Sequence, residues 1–151
     1  MPIHVELVTQ ERKVFEEPEA DIVVVPAQEG EMGVLPGHAP VLTTMTYGEL
    51  VIRKGDAEER FAIYGGVVDV RPDKIVVLAD LADSSFDLDI EKAQAARERA
   101  QELIAQGGEQ NPNREALLAL RRAELQLKVS RKVRDKSVGL RIVDQDNKPG
   151  E

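Results

Sequence analysis

Side chains that carry most enzyme chemistry are scarce in this sequence. The 151 residues include no cysteine, which excludes disulfides, thiolate metal sites and a cysteine nucleophile. The two histidines, His4 and His38, lie far apart, and no His, Asp or Glu cluster has the sequence spacing of metal ligands. No glycine-rich run is followed by the Lys and Ser/Thr of a phosphate-binding loop. The sequence therefore predicts a chain without a metal site that is not an enzyme by itself.

The densest concentration of backbone-directing residues is the run 30–40, which holds three glycines and two prolines. Such a run fixes an irregular backbone path rather than a helix or a long strand. Gly33 and Gly37 are expected to need positive φ. Glu31 and His38 are the polar side chains left to point outward. From the residues alone, the simplest interpretation of His38 is a hydrogen bond to a nearby backbone carbonyl.

A second polar pattern lies in the segment 113–134, where seven basic and two acidic residues contrast with the net charge of −8 of the whole chain. Spacings of seven, seven and four residues place four of these cations on one helix face, which we call the basic ridge: Arg114, Arg121, Lys128 and Lys132. The basic ridge is either a solvated face or a surface that docks on an acidic protein. The segment contains no aromatic residue to stack on bases, so nucleic acid is a poor candidate.

The first half of the chain must fold as β structure to position the run 30–40. Short apolar segments recur about every eight to twelve residues with turn residues between them, a spacing typical of a β-sandwich. Lys54–Ala57 and Arg71–Asp73 are interpreted as hairpin turns. Tyr47-Gly48 is interpreted as a join between two strands, and Gly65-Gly66 as a site of positive φ or close backbone approach.

The apolar period changes from 2 to about 3.6 residues near residue 84, which predicts two helices. Asp87 or Asp89 caps the first helix and Gly107-Gly108 ends it, while Asn113 caps the second, which runs to about Arg134. The second helix carries two opposed apolar stripes, although a helix with one buried face needs only one. The first stripe is Ala116, Ala119, Leu120, Ala123 and Leu127, and the second is Leu118, Leu125 and Val129.

The predicted fold class is therefore α+β, with an N-terminal β-sandwich or flattened antiparallel barrel followed by a C-terminal antiparallel helical hairpin. The predicted domains are the sandwich at 1–83 and the hairpin at 84–134, with an extension at 135–151 that is partly disordered. The N-terminal residues 1–6 include neither a basic segment nor a long apolar run, so no signal peptide or membrane span is predicted.

The run 30–40 resembles one family closely, the epsilon subunit of the bacterial F-type ATP synthase. There the run reads Gly-Glu-aliphatic-Gly-aliphatic-x-Pro-Gly-His-Ala-Pro and is followed by aliphatic residues and Thr. Here the residues Val41-Leu42-Thr43-Thr44 continue the match. The segments Tyr47–Ile52 and Phe61–Asp80 also resemble the strands that follow in the family, and the resemblance spans roughly residues 3–134.

The resemblance implies a non-catalytic subunit in the central stalk of the proton-translocating synthase. Such a subunit couples ring rotation to ATP synthesis and inhibits ATP hydrolysis through its C-terminal helices. The implied partners are the gamma subunit, the membrane c-ring and an acidic segment of the beta subunit, which the basic ridge would meet. The implied location is peripheral, on the cytoplasmic side of the cell membrane, without insertion. The implied contact with gamma and the ring uses Glu29, Glu31, Gly33 and His38.

Some members of the family bind ATP through an Ile/Leu-Asp-x-x-Arg-Ala motif at the start of the first helix. Here the motif corresponds to Leu88–Ala93, with Lys92 in the place of Arg. Lysine lacks the bidentate fork of arginine, so ATP binding by Asp89, Lys92 and Arg99 competes with a simple helix cap followed by surface charges. No cofactor is expected beyond ATP as a weak regulatory ligand. Two alternatives remain, a free-standing interaction module with a regulatory coiled coil and a nucleotide-dependent enzyme.

Overall fold

A computed structural model describes residues 2–85, 87–107 and 113–135, with side chains up to residue 130. Eight strands precede two helices. The strands are β1 (Ile3–Val8), β2 (Lys13–Ala20), β3 (Ile22–Ala27), β4 (Gly30–Val34), β5 (Val41–Lys54), β6 (Ala57–Val70), β7 (Lys74–Ala79) and β8 (Ala82–Ser84). The helices are α1 (Ile90–Gly107) and α2 (Arg114–Asp135). The predicted extension beyond residue 135 lies outside the described residues.

The strands form one sheet in the order β2-β1-β7-β6-β5-β3-β4, with β8 paired to β6. All neighbouring pairs are antiparallel except β1 and β7, which are parallel. The sheet folds over itself, because Phe15 of β2 packs on Phe61 of β6 although the two strands are not hydrogen-bonded neighbours. The ring centroids are 5.2 Å apart. The enclosed core is almost entirely aliphatic. Its buried residues come from β1, β3, β4, β5, β6 and β7, and β2 contributes Ala20 at its end.

β5 and β6 are each 14 residues long and pair in one unbroken register from Val41↔Val70 to Lys54↔Ala57. The predicted join at Tyr47-Gly48 is therefore wrong. Gly48 lies inside β5. The position requires glycine because an added Cβ would come within 2.4 Å of the Cβ of Pro26. The glycine thus serves close packing between strands rather than a turn.

Gly65 and Gly66 mark the place where β6 changes partner. Residues before this pair are hydrogen-bonded to β8, and residues from Gly66 onward are bonded to β7. Both glycines have positive φ, 87° and 136°, and a Cβ on Gly66 would lie 2.2 Å from the carbonyl oxygen of Leu78. Positive φ and close approach are thus both present, as the sequence predicted.

Both helices are capped as the sequence predicts. The Asp89 carboxylate accepts a hydrogen bond from the Lys92 amide at 3.2 Å, and the Asn113 side chain accepts one from the Ala116 amide at 3.1 Å. The helices pack against each other as an antiparallel hairpin. Small buried residues at their contact let the two backbones approach closely: Ala93 and Ala100 of α1, and Ala116 and Ala123 of α2. Ala119, which was placed in the same stripe, is exposed.

We predict that Gly66→Ala destabilises the sandwich by about 2 to 4 kcal/mol, because the new methyl group meets backbone and the residue keeps a strained φ. Gly33→Ala is the matched control, since Gly33 has no positive φ and no atom within 4 Å of an added Cβ. The control should change the free energy of unfolding by less than about 0.5 kcal/mol. Urea unfolding followed by circular dichroism measures both, and equal effects would contradict this account of β6.

Candidate functional site

The run 30–40 divides into a strand and a turn. Gly30–Val34 forms the edge strand β4, and Leu35–His38 forms a turn in which the His38 amide donates to the Leu35 carbonyl at 3.1 Å. Pro36 and Gly37 occupy its central positions, and Gly37 has a φ of 86°, the pattern of a type II turn. The Gly37 amide donates to the Pro72 carbonyl at 2.8 Å, which ties this turn to the β6–β7 hairpin.

The expectation of positive φ is confirmed at Gly37 and is wrong at Gly33. Gly33 lies within β4, opposite Val24, where the strand backbone is extended. The simple interpretation of His38 is confirmed, because its Nδ1 donates to the Ala39 carbonyl at 2.7 Å. His38 is thereby fixed by its own loop.

Glu29 and Glu31 line one open groove of about 680 Å³ at the β3–β4 turn, together with Met32, Val41 and Thr43. Both carboxylates are exposed. The turn is held to β5 by the Gln28 amide, which donates to the Thr44 carbonyl at 3.1 Å, and by a side-chain hydrogen bond between the same two residues. His38 is not among the residues that line the groove. The structure therefore brings two of the four predicted rotor-contact residues together in one groove.

An apolar patch that the sequence analysis missed lies on the outer side of the β1-β7-β6-β5 sheet, beside the charged residues Glu6, Lys74 and Asp69. We call it the open face and define it by five aligned side chains: Val8, Leu42, Val67, Val76 and Leu78. Leu42 is 73% exposed and Leu78 is 48% exposed. The segment Lys74–Ala79 is apolar at both parities, a pattern of strands covered on two sides, and could have indicated this surface.

The second apolar stripe of α2 packs on the sandwich. Leu125 and Val129 are buried against Ala62 and Tyr64 of β6, with Tyr47 and Leu88 at the edge. We call this contact the seam. Leu118, the third member of the stripe, remains 46% exposed. The two stripes therefore have two partners within the chain, α1 and the sandwich.

Two arginines of α2 cover the aromatic side chains of the seam. Tyr47 and Tyr64 are directly opposite each other on β5 and β6, and their rings meet edge to face at 5.6 Å. The guanidinium carbon of Arg121 lies 5.0 Å from the centre of the Tyr47 ring, and that of Arg122 lies 4.9 Å from the centre of Tyr64. Both distances are those of cation–π contacts.

A hydrogen-bonded group continues the seam on the other side of Tyr64. The Tyr64 hydroxyl donates to Asp83 Oδ2 at 2.7 Å, and the side-chain Nε2 of Gln126 in α2 donates to the same oxygen at 3.3 Å. Burial and the hydrogen bond to the Asp83 carboxylate raise the pKa of Tyr64 well above its ordinary value, while Gln126 and the Arg122 cation act weakly in the opposite direction. The phenol stays protonated while the hairpin is docked.

The basic ridge is divided by the docked hairpin. Arg114 and Lys128 are exposed, and Arg114 borders an apolar patch with Leu117 and Leu118. Arg121 is also exposed but stacks on Tyr47. Lys132 lies in α2 beyond the described side chains.

Two residues of the nucleotide hypothesis, Asp89 and Lys92, lie at the start of α1, and Arg99 lies near the middle of this helix. Asp89 serves as the helix cap, while Lys92 and Arg99 are exposed. Asp89 thus acts as the helix cap, as the simpler interpretation of this segment predicted. The described residues show no further group that gathers around these three side chains.

Strand pairing also assembles a polar group that sequence spacing did not reveal. Ligand-type atoms of His4, Glu6 and Glu16 lie within 4.8 Å of one another on β1 and β2. Lys13 lies 3.2 Å from Glu16 and 3.5 Å from Glu6, and Lys74 lies 3.4 Å from Glu6. Hydrogen bonds from His4 and Lys13 lower the pKa of Glu16. Because two lysines neutralise the carboxylates, we interpret the group as a surface ion-pair network.

Comparison with known protein families agrees with this two-part structure. The ATP synthase delta/epsilon chain β-sandwich domain matches residues 2–85, and the long α-helix domain of the same chains matches residues 87–131. The two matches together cover most of the chain. The chain therefore belongs to the delta/epsilon chain family of ATP synthases.

Individual relatives narrow the class to epsilon chains. The ATP synthase epsilon chain of Halalkalibacterium halodurans is 40% identical over 129 residues, which are 85% of this chain and 96% of that relative. The epsilon chain of Syntrophobacter fumaroxidans is 44% identical over 130 residues, or 86% and 96% of the two chains. The chain is thus an epsilon-type chain, a non-catalytic subunit of the ATP synthase.

Solved structures show the same fold. A chain of the Euglena gracilis mitochondrial ATP synthase, solved as an OSCP, F1 and c-ring assembly, superposes with a TM-score of 0.72 and 23% identity, covering 82% of this chain and 78% of that chain. A chain of the Tetrahymena thermophila central stalk and c-ring gives 0.54 and 13%, with 88% and 96% covered. The predicted family and fold class are confirmed. Neither helix in the described part of the chain is long and apolar enough to cross a membrane.

We predict that the Tyr64 phenol ionises well above pH 10 in the folded chain. Tyr47→Phe leaves Tyr64 as the only tyrosine and keeps the aromatic edge contact, so absorbance at 295 nm then reports Tyr64 alone. In urea the same variant should titrate near pH 10, the ordinary value. Since the folded pKa is the higher one, the contribution of Tyr64 to the free energy of unfolding is fully present below about pH 10 and is lost as the pH rises beyond it. Coincident titrations in the two conditions would contradict a buried Tyr64.

Proposed function

We propose that this chain couples rotation of the membrane ring to ATP synthesis, and that its hairpin inhibits ATP hydrolysis when released from the sandwich. The observation that carries the proposal is the difference between the two halves. The sandwich carries a core of 17 buried residues and presents an apolar open face, whereas the hairpin is held to it by a small seam. A rotor subunit with a regulatory element needs a rigid part that binds and a second part that moves.

The open face is the proposed contact for the gamma subunit. Large exposed apolar side chains on a rigid sheet are typical of a protein interface, and Leu42 and Leu78 contribute most of this surface. The groove with Glu29 and Glu31 is the proposed contact for the polar loops of the membrane c-ring, with Gly33 and His38 alongside. The two solved assemblies contain F1, the c-ring or the central stalk, which supports partners of this class. The chain would then be peripheral, on the cytoplasmic side of the membrane.

We predict that Leu42→Asp together with Leu78→Asp weakens binding to a gamma and c-ring subcomplex at least about tenfold, because two carboxylates would have to lose water at the interface. Both side chains are exposed, so the variant should unfold at nearly the same urea concentration as the parent. Binding is measured by surface plasmon resonance with an epsilon-depleted subcomplex.

Leu103→Asp provides the control, because Leu103 is 43% exposed but lies on α1 of the hairpin. It should leave the affinity unchanged. If the double variant is folded and still binds with the parental affinity, the open face is not the gamma contact.

The released hairpin is the proposed inhibitory element, and its basic ridge would meet an acidic segment of the beta subunit. Arg114 and Lys128 are exposed even while the hairpin is docked. Each exposed ion pair contributes only about 0.2 to 1 kcal/mol, so several cations must act together. The charge of the segment, with seven basic and two acidic residues, provides that number.

We predict that Arg114→Glu together with Lys128→Glu relieves inhibition of ATP hydrolysis by the assembled enzyme. Arg121 is left intact, because its stacking on Tyr47 would confuse the result. Gln94→Glu together with Gln101→Glu adds negative charge at two exposed positions of α1 outside the proposed ATP site and should leave inhibition intact. ATP hydrolysis is measured at low and high salt, and the relief should shrink at high salt. Inhibition equal to the parent at low salt would mean that the basic ridge is a solvated face.

ATP binding by Asp89, Lys92 and Arg99 stays a prediction. A weak regulatory ligand there would favour the compact hairpin, since Asp89 and Lys92 lie where α1 leaves the sandwich and Arg99 lies about two turns further along the same helix. An arginine in the place of Lys92 would bind a phosphate better, because a guanidinium can donate two hydrogen bonds to it.

A further inference from the structure

Arg121 has two incompatible uses, and the structure shows the first of them. In the docked hairpin its guanidinium stacks on the Tyr47 ring at 5.0 Å. In the proposed inhibitory state the same cation belongs to the basic ridge, between Arg114 and Lys128. While its guanidinium lies on Tyr47, Arg121 is held against the sandwich together with α2, so it cannot move with the ridge to an acidic partner away from the sandwich.

The aromatic rung beneath it is well placed to hold α2. Tyr47 and Tyr64 face each other across β5 and β6, and each ring is covered by one of two consecutive arginines. The Tyr64 ring is further fixed through its hydroxyl, which donates to Asp83, and Asp83 also accepts a hydrogen bond from Gln126 of α2. Both arginines therefore meet rings whose positions are already set by the sheet.

Among the described side chains, the rest of the seam is small. Its buried residues there are Ala62, Tyr64, Leu125 and Val129, and Tyr64 is the largest of these four. The next rungs on the same side of β5 and β6 mix polar and apolar side chains, with Glu49 opposite Ala62 and Val51 opposite Arg60. Arg60 is buried between Glu49 and Glu58, and it adds charge rather than apolar surface to that side of the sheet.

We propose that the Tyr47–Tyr64 rung is a latch that sequesters Arg121, so that docking of the hairpin and binding of the basic ridge by an acidic partner are mutually exclusive. The proposal rests on the proposed inhibitory function for its consequence in the complex, but the latch itself is a property of the isolated chain. It assigns Tyr47 a regulatory role although this residue never touches the partner.

The latch is tested in the isolated full chain with fluorescent labels on two introduced cysteines, at Asp56 and Glu115. Both positions are exposed, and the natural sequence offers no competing thiol. Energy transfer then reports the ratio of docked to released hairpin as urea is added below the unfolding range of the sandwich. Tyr47→Leu, which keeps the bulk but loses the aromatic face, should lower this ratio about two- to fivefold, and Arg121→Gln should lower it by the same factor.

Two matched controls separate stacking from bulk and from charge. Tyr47→Phe keeps the aromatic face and should stay docked like the parent. Lys128→Gln removes one positive charge from the same helix without a ring contact and should also stay docked. Combining Tyr47→Leu with Arg121→Gln should add nothing to either change alone, since both remove one interaction. Parental docking in Tyr47→Leu, or an equal loss in Lys128→Gln, would overturn the latch.

The assembled enzyme then distinguishes the latch from the proposed function. Tyr47→Leu frees an intact basic ridge and should increase inhibition of ATP hydrolysis. Arg121→Gln loosens the hairpin to the same extent but removes a ridge cation, so it should not increase inhibition. If Tyr47→Leu loosens docking in the isolated chain and leaves hydrolysis unchanged, the latch stands and inhibition by the released hairpin is wrong.

Discussion

The pairing of β5 with β6 is the constraint on which the rest of the molecule depends. These strands share thirteen register positions without a shift, and they carry core residues on one side and contact surfaces on the other. Leu42 of the open face and Tyr47 of the seam lie on the same strand, about 17 Å apart at the rise of an extended chain. A rigid ladder thus fixes the distance between the proposed gamma contact and the hairpin latch.

The energetic contrast between core and seam explains how one half can move while the other stays folded. A fully buried Leu or Val side chain contributes about 1.5 to 3 kcal/mol. The sandwich core contains 17 buried residues, whereas the seam buries four among the described side chains. The charged side chains beside the seam make release easier, because Arg60 remains paired with Glu49 and Glu58 of the sandwich itself. Release of the described part of α2 therefore exposes little apolar surface.

Sequence patterns predicted those features that are local. Asp89 and Asn113 cap the helices, and the turns predicted at Lys54–Ala57 and Arg71–Asp73 join β5 to β6 and β6 to β7. Features that depend on strand pairing were missed, because a glycine has the same local signal in a turn and at a close contact. Gly48 was assigned to a join although it packs on Pro26 within a strand. The cation–π contacts of Arg121 and Arg122 were equally invisible, since they join residues more than fifty positions apart in sequence.

Native-state hydrogen exchange tests most directly the claim that the hairpin leaves the sandwich as one unit. Amide exchange is measured in the isolated full chain at rising, sub-denaturing urea, by mass spectrometry with peptides from α1, α2, β5 and β6. The account predicts that α1 and α2 open together, with an opening free energy below that of the β5–β6 core. If the helices exchange only when the sheet does, the chain unfolds as a single unit and a separately released hairpin is contradicted.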